Sequence, residues 1–166
     1  MIKLSSGITF DFMTGSGSLG FSGRGWPLPR YWPLRWQLRK KIDDFVIVSK
    51  TITLDPIRGR MNAIYDNEDF VVNAVALHNP GIKIWAKKYL PRVRKNQGII
   101  ISLTERSTLC VKNLAAEIAK IIKGNENDGK RIIGLEFNVS CSNAKRIWLP
   151  HDIAKSCYQI KQRINL

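Results

Sequence analysis

The chain has 166 residues, 44% of them hydrophobic. That is enough for one domain with a real core, and it excludes an intrinsically disordered segment. The formal net charge is +14, which points toward polyanionic partners such as nucleic acid, membrane surfaces or phosphorylated ligands without defining a fold. Cys110, Cys141 and Cys157 are odd in number and form no C-x-x-C, so no disulfide framework is expected. Residues 1–13 lack a basic start followed by an apolar run, and eighteen consecutive apolar residues occur nowhere, so a cytoplasmic, thiol-reduced chain without a transmembrane segment is expected.

Ile8 to Met13 alternates and is rich in aromatic and β-branched residues, which predicts a first strand. Thr14 to Gly20 follows as a glycine-serine turn that lets backbone approach a ligand. Residues 24–41 interleave Arg24, Arg30, Arg35, Arg39, Lys40 and Lys41 with Trp26, Tyr31, Trp32 and Trp36. One reading is a surface for single-stranded nucleic acid, with bases on aromatics and phosphates on arginines. The other is a loop pinned by Pro27, Pro29 and Pro33 whose tryptophans pack on the core, and the prolines favour it.

Phe45 to Val48 predicts a buried second strand ending at Ser49-Lys50-Thr51. Lys50 either snorkels to the surface or points its charge into a site. An extended excursion follows through Ile52 to Pro56. Residues 81–89 predict a helix with Ile84, Trp85 and Tyr89 on its apolar side. Ile99 to Ser102 is a third apolar strand ending in a hydroxyl. The clearest helix comes next, with Val111, Leu114, Ala115, Ile118 and Ile122 at three- and four-residue steps, a cap at Ser107 or Thr108, and Gly124 at its end. A polar loop, Asn125 to Lys130, precedes strand four. Pro150 opens a last helix with Ile153, Cys157, Ile160 and Ile164 on one face.

Strand four, Ile132 to Leu135, stops in Glu136-Phe137-Asn138-Val139-Ser140-Cys141-Ser142-Asn143. Two amides, two hydroxyls and a thiol in six positions are either a polar loop with local turns or an active-site loop. Apolar strands alternating with helices predict a parallel sheet with right-handed crossovers, in which ligands sit at the carboxyl ends of the strands. All four such ends are polar here, which favours the active-site reading.

Several stretches together resemble the dihydroorotate dehydrogenases, in particular the soluble class 1 enzymes. Gly15 to Gly20 is similar to the turn after the family's first strand, and Val48 to Pro56 resembles the second strand and its excursion. Residues 73–81, NAVALHNPG, resemble N-A-I-G-L-x-N-P-G, and residues 138–143, NVSCSN, resemble N-x-S-C-P-N. The resemblance implies an FMN flavoprotein of pyrimidine biosynthesis that oxidises dihydroorotate to orotate on a (β/α)8 TIM barrel. Such a barrel takes about 250 residues, so the chain corresponds to its first half, a single truncated domain over 1–166 of about four β/α units with parallel strands. The implied partners are a C-terminal half-barrel chain or a second copy.

By the same resemblance, Cys141 is the catalytic base. Lys50, Asn73, Ala74, Val75, Ala76, Leu77, Asn138 and Asn143 bind substrate. Ser16, Gly17, Lys50, Thr51, Ser102 and Asn138 contact the flavin. No metal is implied. A pyrimidine-reducing relative with the same barrel shares the S-C-P motif, so the substrate can be a related pyrimidine. The chain departs from the family pattern at Ser142, where the family has proline, at Ala76, where it has glycine, and at Ala144 to Leu149, which carry no glycine. The rival from another class is a non-catalytic basic half-barrel that binds nucleic acid through residues 24–41.

Overall fold

The computed structural model describes residues 1–24, 45–60, 63–66, 71–140 and 147–164. The fold is mixed α/β around a three-stranded parallel sheet. Its strands are β3 (Ile47–Val48), β6 (Ile99–Leu103) and β7 (Ile132–Phe137), in the order β3-β6-β7. Met13 pairs in parallel with Val46 on the outer side of β3. Four chain segments thus lie side by side in sequence order, a topology compatible with part of a β/α barrel. Between β3 and β6 comes α1 (Ile82–Lys88), between β6 and β7 comes α2 (Thr108–Gly124), and α4 (Pro150–Lys161) follows β7. Helix α2 packs against both α1 and α4.

Strands β3 and β6 are apolar runs because both faces are covered, whereas edge strand β7 is fully buried only at Ile132. All five residues of β6 are buried, and Ile47, Ile52, Ile82, Trp85, Leu90, Ile99, Ile101, Leu114 and Ile118 are fully enclosed in one core. Each such side chain contributes roughly 1.5–3 kcal/mol relative to exposure. The face of α2 is the one its periodicity predicts: Val111, Leu114, Ala115 and Ile118 are buried. Its cap is Ser107, whose Oγ accepts from Cys110 N–H at 3.2 Å.

Ile100 pairs with Gly134 while Ile99 pairs with Ile132, so Ile133 is an extra residue in β7. This bulge places Ser102 opposite Glu136 and Leu103 opposite Phe137.

Several sequence expectations change in detail. Ile8 to Met13 is not one strand. Thr9–Phe10 (β2) pairs antiparallel with Ile2–Lys3 (β1), and only Met13 bridges to the parallel sheet. In α1 the buried pair is Ile82 and Trp85, and Ile84 is exposed, because a seven-residue helix has room for one contact stripe. In α4 the buried residue is Ser156, and Cys157 is exposed. The expected polar loop at 125–130 contains a helical turn, α3 (Glu126–Gly129), capped by Asn125, whose Oδ1 accepts from Asp128 N–H at 3.2 Å.

The excursion after β3 returns through an antiparallel arm, β4 (Ile64–Asp66) with β5 (Val71–Asn73). At its base Ile57 and Asn79 exchange both backbone hydrogen bonds. Asn79 is buried and holds that base shut. Its Oδ1 accepts from Thr53 N–H, Thr53 Oγ1 and Gly81 N–H at 3.2, 3.0 and 2.9 Å, and its Nδ2 donates to Leu77 O at 2.9 Å.

Candidate functional site

The carboxyl ends of the parallel strands meet in a knot of small polar side chains. Thr51 follows β3, Ser102 lies near the end of β6, and Asn138 follows β7. Asn138 Nδ2 donates to Thr51 Oγ1 at 2.9 Å, and Thr51 Oγ1 lies 3.1 Å from Ser102 Oγ. Ser102 Oγ donates to Glu136 Oε1 at 2.7 Å. With the Ser102 proton committed to Glu136, the Thr51–Ser102 bond runs from Thr51 to Ser102, since each hydroxyl has one proton. The relay is therefore directional: amide to threonine to serine to carboxylate.

Ser16 joins from the glycine-serine turn. Its Oγ donates to Ser49 O at 3.2 Å and lies 3.5 Å from Thr51 Oγ1. Ser49 Oγ accepts from Ser102 N–H at 3.1 Å and donates to Lys50 O at 3.2 Å. Thr51, Ser49 and Ser102 are all buried, so the hydroxyls form a satisfied polar floor rather than a solvated rim. Four of the flavin-contact candidates, Ser16, Thr51, Ser102 and Asn138, thus come together in one hydrogen-bonded group. Gly17 and Lys50 lie beside them. A Cβ on Gly17 would sit 3.4 Å from Lys50 Cα and Cγ, and the backbone there has φ +75°, so glycine suits both the approach and the conformation. Lys50 is half-buried.

The other substrate candidates divide. Ala74 to Leu77 form the base of the antiparallel arm. Ala76 and Leu77 both adopt left-handed backbone, φ 56° and 60°. Among the described residues, the N–H groups of Val75, Ala76 and Leu77 donate to no protein acceptor. His78 N–H closes the bend on Val75 O at 3.3 Å, and successive free N–H groups at a turn are donors an anion can use. Asn79 ties this bend to Thr53, two residues beyond Thr51. Asn73 ends β5 with its backbone opposite Ile64; its side chain lies outside what is described. Cys141 and Asn143 also lie outside the described residues, as does all of 25–41 in the rival nucleic-acid surface.

Asn138 also governs how the chain leaves β7. Its Oδ1 accepts from Ser140 N–H at 3.1 Å and Ser140 Oγ at 3.3 Å, an Asx turn at the start of the Cys141 loop.

Sequence reasoning gave no role to Glu136 or Glu105. Glu136 terminates the relay, and a carboxylate beside Asn138 at an apolar strand end was the available signal. Glu105, just past β6, accepts from Leu54 N–H at 2.6 Å. Its pKa is raised above the ordinary 4.5, first by burial and further by Asp55, against the lowering effect of the backbone N–H groups of Leu54 and Arg106.

No protein-family model matches the chain. Curated relatives do. The chain is 31% identical over 122 residues to the dihydroorotate dehydrogenase B (NAD(+)) catalytic subunit of Thermoanaerobacter pseudethanolicus, covering 70% of this chain and 38% of that protein. The same-named subunit of Desulforudis audaxviator is 32% identical over 101 residues, covering 60% and 30%. That of Endomicrobium trichonymphae is 26% identical over 143 residues, covering 85% and 41%. The relatives are dihydroorotate dehydrogenases. The motif resemblance and the curated relatives agree on this kinship. The chain spans about two fifths of the length of these relatives, or less. Among the described residues no helix is long and apolar enough to cross a membrane, and no His, Cys, Asp and Glu group is placed to hold a metal.

Proposed function

We propose that this chain is the first half of a dihydroorotate dehydrogenase-type (β/α)8 barrel, a single domain working with FMN to oxidise dihydroorotate to orotate. The observation that carries the reading is the meeting of Ser16, Thr51, Ser102 and Asn138 at the carboxyl ends of parallel strands, in a chain whose relatives bear that enzyme's name. The donor set fits a flavin edge: hydroxyls and a carboxamide match ring N–H and C=O groups, and Gly17 leaves room for close approach. Ser16, Gly17, Lys50, Thr51, Ser102 and Asn138 would hold FMN, which when bound would supply a hydride acceptor for C6 of the substrate.

The chain's own residues do the rest. Cys141 takes the proton from C5, so one C–H bond yields a proton to sulfur and the other a hydride to the cofactor. The amides of Asn73, Asn138 and Asn143 hold the pyrimidine ring. The free N–H groups of Val75 to Leu77 receive the carboxylate, with backbone from Ala74 onward shaping the pocket. Lys50 supplies positive charge to the substrate or to a reduced flavin. Among the described residues β7 is the edge of the sheet, which suits completion of the barrel by a C-terminal half-barrel chain or a second copy. The reaction fits a cytoplasmic enzyme.

The test is an FMN titration of the full chain, alone and with the C-terminal half of a relative's barrel, followed by anaerobic addition of dihydroorotate. Quenched FMN fluorescence and bleaching of the flavin absorbance, with bleaching lost in Cys141→Ala, are expected. Failure to bind FMN in both arrangements sinks the reading.

A further inference from the structure

A second feature lies at the other end of the sheet. No Asp or Glu occurs between Asp69 and Glu105, a stretch holding Lys83, Lys87, Lys88, Arg92, Arg94 and Lys95. Helix α1 and the 3₁₀ turn Leu90–Arg92 carry most of these cations to the surface, where Lys87, Lys88, Arg92 and Lys95 are exposed. The position is fixed from below: Arg131, just before β7, donates from Nη1 to Leu90 O and Val93 O at 3.3 and 2.6 Å.

The cations are drawn together rather than spread. Lys88 Nζ and the Arg92 guanidinium lie 5.8 and 5.6 Å from the centroid of one ring, Tyr89. Arg24 comes from a distant part of the chain and donates Nε to Arg92 O at 2.8 Å. Among the described residues no carboxylate pairs with Arg24, Lys88 or Arg92. Cations gathered around one ring with no carboxylate among them repel, and protein surfaces ordinarily intersperse acids. An external anion removes that cost. The Tyr89 ring is half-buried against Phe21, centroids 5.0 Å apart, so it sets the spacing of the cations and is poorly placed to stack with a base.

We infer that Arg24, Lys88 and Arg92, flanked by Lys87 and Lys95, form a docking surface for the phosphate backbone of a nucleic acid, at the end of the sheet away from the candidate oxidoreductase site. Binding is backbone-directed and without base readout. A nucleic acid is favoured over a lipid surface because Ile84 is the only large exposed apolar residue between Ile82 and Asn96, and a membrane-docked helix needs an apolar face to insert. The surface differs from the aromatic-basic stretch read from sequence: its centre is α1 and the turn after it, with Arg24 alone shared.

The test is fluorescence anisotropy of a labelled single-stranded oligonucleotide against the full chain across a salt series. Three phosphate contacts predict a log-log salt slope of roughly −2. Lys88→Glu with Arg92→Glu is expected to weaken binding roughly ten-fold or more and to flatten that slope. Lys112→Glu with Lys155→Glu makes the same change in net charge on exposed positions of α2 and α4, and is expected to cost far less. Circular dichroism confirms that each variant folds. Equal losses in the two double variants would mean that the overall charge binds, and would overturn the assignment. So would loss only on altering residues 25–41, no binding at low salt, or tighter binding to vesicles of anionic phospholipid than to the oligonucleotide.

Discussion

Asn138 donates its carboxamide Nδ2 to Thr51 Oγ1 at 2.9 Å across 87 positions of sequence. Thr51 is the hub of the polar knot: it accepts from one strand end and donates to the next. Thr51→Val keeps the shape and deletes the hub. Buried Ser102 and half-buried Asn138 then each lose a partner, a cost of roughly 1–3 kcal/mol. Urea denaturation should show a lower midpoint with an unchanged slope, and FMN affinity should fall with it.

Ala76 occupies left-handed backbone at φ 56°, where the resembling family has glycine. That conformation costs a non-glycine residue roughly 1–2 kcal/mol, against roughly 0.5–1 kcal/mol of added chain entropy for glycine. Ala76→Gly is therefore expected to stabilise the fold by up to about 1 kcal/mol, a rise of roughly 2–4 °C in Tm. The same change at Leu77, buried and also left-handed, should instead destabilise, because the lost side-chain burial exceeds the relief.

Asn79→Ala removes the side chain that ties Thr53, Leu77 and Gly81 together. At least two buried donors and a carbonyl lose their partner, and roughly 3 kcal/mol or more should be lost. Hydrogen exchange at Thr53 and Gly81 should rise well before that of β6.

Glu105 gives a pH signature. Its pKa is raised in the folded state, so the fold holds the proton more tightly than the unfolded chain does. The associated stabilisation is fully present below the ordinary 4.5 and is lost as pH rises through the folded pKa. Glu105→Gln keeps an oxygen for Leu54 N–H and cannot ionise. Its stability relative to the parent should improve as pH rises through that window and level off above it, measured by urea midpoints at a series of pH values.

Ser156 is buried in α4, and among the described residues its Oγ has no hydrogen-bond partner. Ser156→Ala deletes that unsatisfied hydroxyl and adds helix propensity, so a gain of about 1 kcal/mol is expected. Cys157→Ala, on the exposed side, should change little. Paired thermal melts separate the two faces.

Much of this was legible in the sequence. Strands two, three and four announced themselves as apolar runs with polar ends, and the seventeen residues of α2, Thr108–Gly124, were long enough for its periodicity to name the buried face. Short elements were not legible in that way. In α1, two residues of phase separate Ile82 from Ile84, and packing on the core, not pattern, makes the choice. In α4 a polar Ser156 took the inner position that hydrophobicity assigned to Cys157. The convergence of strand ends could be foreseen from parallel topology, but the direction of the relay could not. It depends on Glu136 standing opposite Ser102, and pairing register is not written in either strand alone.

That register is decided far from the site. Ile133 is the bulged residue, and Gly98 is the position that clears it: a Cβ there would fall 2.6 Å from Ile133 Cδ1. If β7 ran straight from Ile132, Leu135 would face Ser102, and a hydrocarbon would replace the acceptor of its hydroxyl proton. A methyl group at Gly98 would press on the flexible end of the Ile133 side chain, the residue on which the alignment of Glu136 with Ser102 depends. Grafting this polar knot onto another parallel sheet would require carrying over the Gly98–Ile133 irregularity along with the side chains it serves.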